Sequence, residues 1–370
     1  MSCDEDFPEP AILMTLSPVF RSAAAVQLLQ ENGILERLQP ALASQARAVR
    51  TIHADLGALL DPAFLAPAPE VPEEGEKDVV ESLTFLQEYF FLVLFRSLFE
   101  ALGVPASRLD AYAELNFCIK GTITAADNIF DEQAKSLLPL RTGRGARFLS
   151  ILQLMCFERL IRRALDRIIE AGQATPEGAD QVLKGLLDLM ARIGKLEGSE
   201  EGGVEEIPHP EVMIDRVHRV RGGALFALAF VPPAVLEEGS TRDRILAAEP
   251  AVARLGTAFQ IVDDLTDFEF DVERRSHNLL VSQVHHHGSD AERAALGEIL
   301  DGLAPAPGVV EARFRESARA VLERAYTEAR GAFRDLGALG FWFPESLADE
   351  VVHAIVGLEG VRRMEEITRG

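Results

Sequence analysis

Three aspartates, Asp263, Asp267 and Asp271, recur every fourth residue in the stretch FQIVDDLTDFEFDVERRSHN, and Asp264 stands beside the first. On an α-helix that spacing lines them along one face, about one turn apart. Like charges at i,i+4 repel, so such a row is unfavourable without a counter-charge. A second acidic group lies in AADNIFDE, where Asp127 and Asp131 are again four apart and Glu132 follows. A charge run is most often a solvated face. Here, however, each group grows out of an apolar helix, from Gly256, Ala258, Phe259, Ile261 and Val262 in one case and Phe117, Ile119 and Ile123 in the other. Carboxylates turned inward on packed helices need a partner, and a divalent cation is the obvious one. Mg²⁺ takes one or two carboxylates per ion and fills its remaining positions with water and phosphate oxygens, which makes a diphosphate the natural third party.

The elements that must position these groups read as helices throughout. A helical period runs through the first 60 residues, broken at Asn32-Gly33, and a Pro/Ala/Glu-rich linker covers residues 61–77. Residues 78–370 form the main α domain, the whole being read as one unit. Within it residues 79–102, 109–136, 144–172, 179–196, 212–230 and 242–271 carry the helical pattern. A Gly/Glu-rich loop at 198–210 and Pro232-Pro233 punctuate it. No strand alternation and no fixed-period repeat stand out, so the expected architecture is all-α, a helical bundle.

Composition narrows the partners. The chain of 370 residues has a net charge of −22, which argues against nucleic acid and against an anionic membrane surface. Three cysteines without metal-ligand spacing point to a reducing compartment. The acidic, proline-bearing N-terminus is the opposite of a signal peptide, and apolar runs such as FFLVLF are too short to span a bilayer. A soluble, cytoplasmic protein without stable membrane insertion is expected.

The two acidic groups also carry a family resemblance. DNIFD at 127–131 resembles the first aspartate-rich motif (DDxxD) of the class I isoprenoid synthases. GTAFQIVDDLTDFEFD at 256–271 resembles the second motif of trans-polyprenyl diphosphate synthases, GxxFQxxDDxxDxxxD. Between them VRGGALFALAF is similar to the segment where that family carries a Lys-Thr pair, with Arg221 in the lysine place and Gly222 in that of threonine. Order and spacing agree over roughly residues 83–278.

The resemblance implies an isoprenoid-synthase bundle around a central cavity, closed over three Mg²⁺ ions. Asp127, Asp131, Glu132, Asp263, Asp264, Asp267 and Asp271 would be the metal ligands. Arg221 and Arg219 would act on the departing diphosphate, arginine suiting phosphate through its planar fork. Arg219 and Gly223 have a spacing similar to the sensor arginine and effector glycine of terpene synthases. Gln260 of the FQ pair and Arg275, beside Arg274, complete the polar substrate contacts. Phe85, Tyr89, Phe117 and Phe226 are the aromatic candidates for stabilising a carbocation, against the ordinary alternative that they are core. A homodimer is left open.

The departures matter for the reaction. Asn128 replaces the second aspartate of DDxxD, and the Gly-Gly-Lys-x-x-Arg motif that binds isopentenyl diphosphate is not found. The paired arginines after the first motif are replaced by a looser Arg141 and Arg144. These losses favour a terpene synthase using one prenyl diphosphate. The alternatives are a trans-polyprenyl diphosphate synthase that condenses it with isopentenyl diphosphate, a non-catalytic partner subunit, and an acidic structural bundle. His285, His286 and His287 could form a metal tract, but a lone run in a loop reads as solvated.

Overall fold

The helices begin and end where the sequence supplies caps and breakers. The computed structural model describes residues 23–68, 71, 79–130, 135–141, 145–355 and 358–368. Helix α1 (Ala23–Glu31) gives way to α2 (Ile34–Gly57) at Gly33, whose φ of 63° suits a residue without a Cβ. Then come α3 (Val79–Ala101), α4 (Ala106–Phe130), α5 (Ala146–Glu170) and α6 (Pro176–Gly198), the last capped by the Thr175 hydroxyl accepting from the Gly178 N–H at 3.1 Å. The chain continues as α7 (Pro210–Met213), a ten-residue π-helix (Ile214–Gly223), α8 (Ala224–Ala227), a 3₁₀ turn (Leu228–Phe230) and α9 (Val231–Leu236). The remainder is α10 (Gly239–Thr266), α11 (Phe268–Arg274), α12 (Leu279–His287), α13 (Asp290–Leu300), α14 (Val309–Arg313), α15 (Arg315–Ala338), α16 (Ala348–Ile355) and α17 (Leu358–Thr368).

The protein is all-α, with a single isolated bridge, Leu65 to Leu140, among the described residues. Helix α10 is the axis, packed on α15 and on the π-helix, with Val252, Leu255, Ala258, Ile261, Val262 and Leu265 buried. Leu38, Val49, Ile52 and Leu56 of α2 join the same core against α3 and α4. The start of the linker is ordered too: Asp61 caps a short 3₁₀ turn, and the Ala66 N–H donates to the Pro139 carbonyl at 2.9 Å.

Three sequence expectations change. Pro232 and Pro233 do not stop a helix; they sit in the first turn of α9, where a missing N–H has no intrahelical partner to lose. The acidic helix is broken at Asp267, whose backbone (φ −100°, ψ 13°) separates α10 from α11. The histidine run lies on the last turn of α12 rather than in a loop. Two stretches, Pro210–Leu236 and Gly239–Thr266, are long and apolar enough to cross a membrane, yet half or more of each is buried inside the bundle. Their apolarity is accounted for by packing.

Candidate active site

The second acidic row survives the break in its helix because the backbone ladder does. The Asp267 N–H donates to the Asp263 carbonyl at 2.8 Å and the Asp271 N–H to the Asp267 carbonyl at 2.9 Å, so the four-residue register holds across the joint. Asp263, Asp267 and Asp271 therefore line one wall of a cleft of about 390 Å³. Asp127 and Phe130, on the last turn of α4, form the opposite wall, and Glu197, Glu200, Glu201 and Gly202 close one end from α6 and the turn after it. Arg221, Leu225, Gln260, Phe270, Arg274 and Ser276 complete the lining. Asp131 and Glu132 lie outside the described residues.

So many carboxylates in one cleft resist ionisation. Asp263 opens onto the cleft but is walled by protein elsewhere. That desolvation, with the charges of Asp267, Asp264 and, across the cleft, Asp127, pushes it up to about 8. Asp271 is raised to about 9, first by burial and then by Asp264, although the Asn278 side-chain amide donating to it at 2.9 Å pulls the other way. An all-oxygen donor set under mutual repulsion is what a hard divalent cation relieves, so these residues fit Mg²⁺.

Arg221 enters the cleft already committed. Its Nε donates to Glu197 Oε1 at 2.5 Å, and its Nη2 donates to Glu197 Oε2 at 3.2 Å and to Glu200 Oε1 at 2.7 Å. Burial alone would lower the Arg221 pKa, but the two glutamates raise it, so it stays cationic. Glu200 also accepts from the His277 ring at 2.6 Å and from the His277 N–H at 3.2 Å. Burial pushes the Glu200 carboxyl up, and His277 and Arg221 together outweigh it and hold the group below its usual range. The other cation in the cleft is Arg274, stacked over the Phe270 ring at 4.8 Å and donating to the Phe130 carbonyl at 3.2 Å. That contact ties the second acidic segment to the end of α4.

The structure separates the remaining candidates. Asp264 does not reach the cleft: it is 2% exposed, and Oδ2 meets His218 Nε2 at 2.7 Å and accepts from the Leu279 N–H. Adjacent helical residues point about 100° apart, so Asp263 and Asp264 cannot share a face. Arg219 is exposed and paired with Asp215 at 2.7 Å, outside the cleft lining. Arg275, in the left-handed region at φ 55°, lines a different depression, formed by α11, α13 and the turn after α13. Gly223 serves packing, since a Cβ there would stand 3.1 Å from the Ala253 carbonyl; likewise Gly222 and Gly256 let two backbones cross, each Cβ falling within 2.3 Å of the other's oxygen. Gln260 is in the lining and donates to Asp263 Oδ2 at 3.2 Å.

The aromatic candidates divide in the same way. Phe85, Tyr89 and Phe117 are core, running as a ladder (centroids 4.6 and 5.9 Å apart) that continues to Phe157 at 6.2 Å. None of them lines the cleft. Phe226 is half-buried and packs with Phe91 and Phe259 at 4.9 and 5.1 Å, beside the lining residues Leu225 and Gln260.

Sequence reasoning missed Glu197, Glu200, His218 and His277. The only trace of Glu200 was the Gly/Glu-rich loop, and Glu197, at the end of α6, left none. The loop's Gly202 and Gly203, at φ 90° and 91°, turn the chain back against Arg275, where a Cβ on Gly203 would stand 3.0 Å from the arginine's own. The π-helix hid His218. With more residues per turn than an α-helix, it lets His218 face the core while Arg221, three residues on, faces the cleft.

No protein-family model matches the sequence, and no curated protein matches it. Solved structures do. A decaprenyl diphosphate synthase from Rhodobacter capsulatus superposes with a TM-score of 0.53 at 17% identity, over 90% of this chain and 99% of its own. A polyprenyl synthase from Caulobacter crescentus CB15, complexed with calcium and isoprenyl diphosphate, gives 0.51 at 13% identity, over 91% and 98%. An octaprenyl pyrophosphate synthase from Helicobacter pylori gives 0.51 at 14%, over 86% and 98%. The fold is that of the class I isoprenoid synthases.

Proposed function

We propose that the acidic cleft is the active site of an enzyme that ionises an allylic prenyl diphosphate and transfers the prenyl cation to a second substrate, as polyprenyl diphosphate synthases do. The observation that carries this reading is the convergence of Asp127 from one helix with Asp263, Asp267 and Asp271 from another, close enough that Asp127 helps to raise the Asp263 pKa. A divalent cation bound with isoprenyl diphosphate in the Caulobacter protein of the same fold supports it. Asp127, Asp263, Asp267 and Asp271 would hold Mg²⁺, which would supply the charge that stabilises the diphosphate leaving group.

The chain's own part follows from the lining. Arg274 offers donors to phosphate oxygens at the rim, and Arg221 adds fixed positive charge behind the carboxylates. Leu225, with the rings of Phe130 and Phe270, is the apolar part of the lining, where a cation would meet hydrocarbon rather than carboxylate. The ring faces would stabilise it by roughly 0.5–2 kcal/mol each. An exposed apolar stripe on α5, Phe148, Ile151 and Met155, supports a homodimer as part of the same reading.

A single-substrate terpene synthase is the second reading, favoured by the missing Gly-Gly-Lys-x-x-Arg motif. Retention of Asp127, Asp263 and Asp267 in the cleft speaks against a non-catalytic partner subunit. The test is incubation with geranyl, farnesyl and geranylgeranyl diphosphate, with and without isopentenyl diphosphate, in Mg²⁺ or in chelator. Longer diphosphates that require both isopentenyl diphosphate and metal are expected. Hydrocarbon or alcohol from one substrate would transfer the conclusion to the terpene synthase, and absence of any metal-dependent diphosphate release would sink both.

A further inference from the structure

Far from the acidic wall, the fold brings together four of the chain's eight histidines. His285, His286 and His287 end α12, while His209 immediately precedes α7 and Glu211 lies in its first turn. The His209 ring stacks on His286 at 4.0 Å and stands 5.3 Å from His287. One ligand atom each from His209, Glu211 and His287 lies within 4.8 Å of the others, and all three residues are exposed, so an ion could reach them. The frame is fixed by the chain itself: the Ser282 hydroxyl donates to the Pro208 carbonyl at 2.5 Å and His286 Nε2 to the Ile207 carbonyl at 2.9 Å. That bond puts the hydrogen of His286 on Nε2 and leaves Nδ1 as its lone pair.

We propose that His209, Glu211 and His287 form a binding site for a transition-metal ion of the Zn²⁺ class, with His286 or water as the fourth ligand. Two imidazoles and one carboxylate suit Zn²⁺ and exclude Mg²⁺, which prefers oxygen alone. A tetrahedral ion with ligands about 2.0–2.1 Å away needs donor atoms roughly 3.3 Å apart, a contraction that exposed side chains reach by rotation. The ion would clamp the end of the segment joining α6 to α7, which carries Glu200, Glu201 and Gly202 of the cleft, onto α12, whose cap Asn278 holds Asp271. The two metal centres of the chain would thus differ in donor chemistry and share the segments between them. The site stands on its own geometry and does not depend on the reaction proposed for the cleft.

The experiment measures Zn²⁺ binding to the full, tag-free chain by competition with a chromophoric chelator, with excess Mg²⁺ present to fill the cleft. One equivalent per chain is expected, its affinity unchanged in Asp263→Asn and weakened by about 10–100-fold or more in His209→Ala and in His287→Ala. Both histidines are exposed, so the metal-free variants should melt with the parent; the parent alone should gain melting temperature on adding Zn²⁺. The site is overturned if the histidine variants bind Zn²⁺ as the parent does, if Asp263→Asn removes the equivalent, or if the parent binds none.

Discussion

Asp263 and Asp264 are neighbours in the chain and opposites in the fold. Asp264 belongs to a buried buttress in which His218, the Leu279 N–H and the Asn278 side chain gather around one carboxylate and its carbonyl. Asp263 belongs to the cleft, where the groups acting on it are mostly other carboxylates and its pKa climbs to about 8. A carboxylate answered by donors from its own chain holds structure. One surrounded by like charge is strained as it stands and gains from a cation, which is the signature of a binding group rather than a structural one.

Substitution should pull the two regions apart. Asp263→Ala is expected to lower kcat/KM for the metal-dependent release of diphosphate by about 10³-fold, several kcal/mol of lost charge stabilisation, while leaving the metal-free protein as stable as the parent or more so. Steady-state kinetics beside thermal melting would read both; an unchanged rate would remove the site assignment. His218→Ala should do the reverse, costing roughly 1–3 kcal/mol of stability by taking from the buried Asp264 side chain its hydrogen-bond partner. Denaturant unfolding measures it, and a loss below about 1 kcal/mol would deny the buttress its role.

Acidity gives a finer contrast. The Asp263 and Asp271 pKa values are raised above their unfolded values, so their contribution to stability is full below ordinary carboxylate pKa values and is lost as pH rises through about 8 to 9. Metal-free protein should therefore lose melting temperature across that window by more than the Asp271→Asn variant does, and Mg²⁺ should shrink the difference by replacing the protons. Parallel curves for the two proteins would contradict the raised pKa values. The smallest effect is expected from Asn278→Ala, about 0.5–2 kcal/mol through the lost cap of α12, with more Mg²⁺ needed for half-maximal activity because Asp271 loses the donor that favours its ionised form.

The aspartate lining of the cleft was legible in the residues alone. The four-residue spacing of Asp263, Asp267 and Asp271, set behind an apolar approach, already placed them on one inward-facing wall, because helical periodicity is a local property. Asp127 as the facing partner was legible as a second group of the same kind. Arg219, Arg275 and Gly223 lie outside the cleft lining for a different reason: motif resemblance assigns a residue by position, whereas the directions of Arg219 and Arg275 depend on a π-helix and a left-handed turn, and Gly223 is packed against the Ala253 carbonyl. Phe85, Tyr89 and Phe117 were aromatic on inward faces, and an inward face leads to core more often than to a cavity.

The sequence by itself determined that the chain is helical and that the acidic residues share a row, since propensity and period act within a few residues. Tertiary structure alone decided that Arg221 is held by Glu197 and Glu200, that Asp264 turns to His218, and that His209 meets His287. Each of those joins residues far apart in the chain, and a charge or an imidazole acquires its role only from what the fold sets within a few ångströms of it.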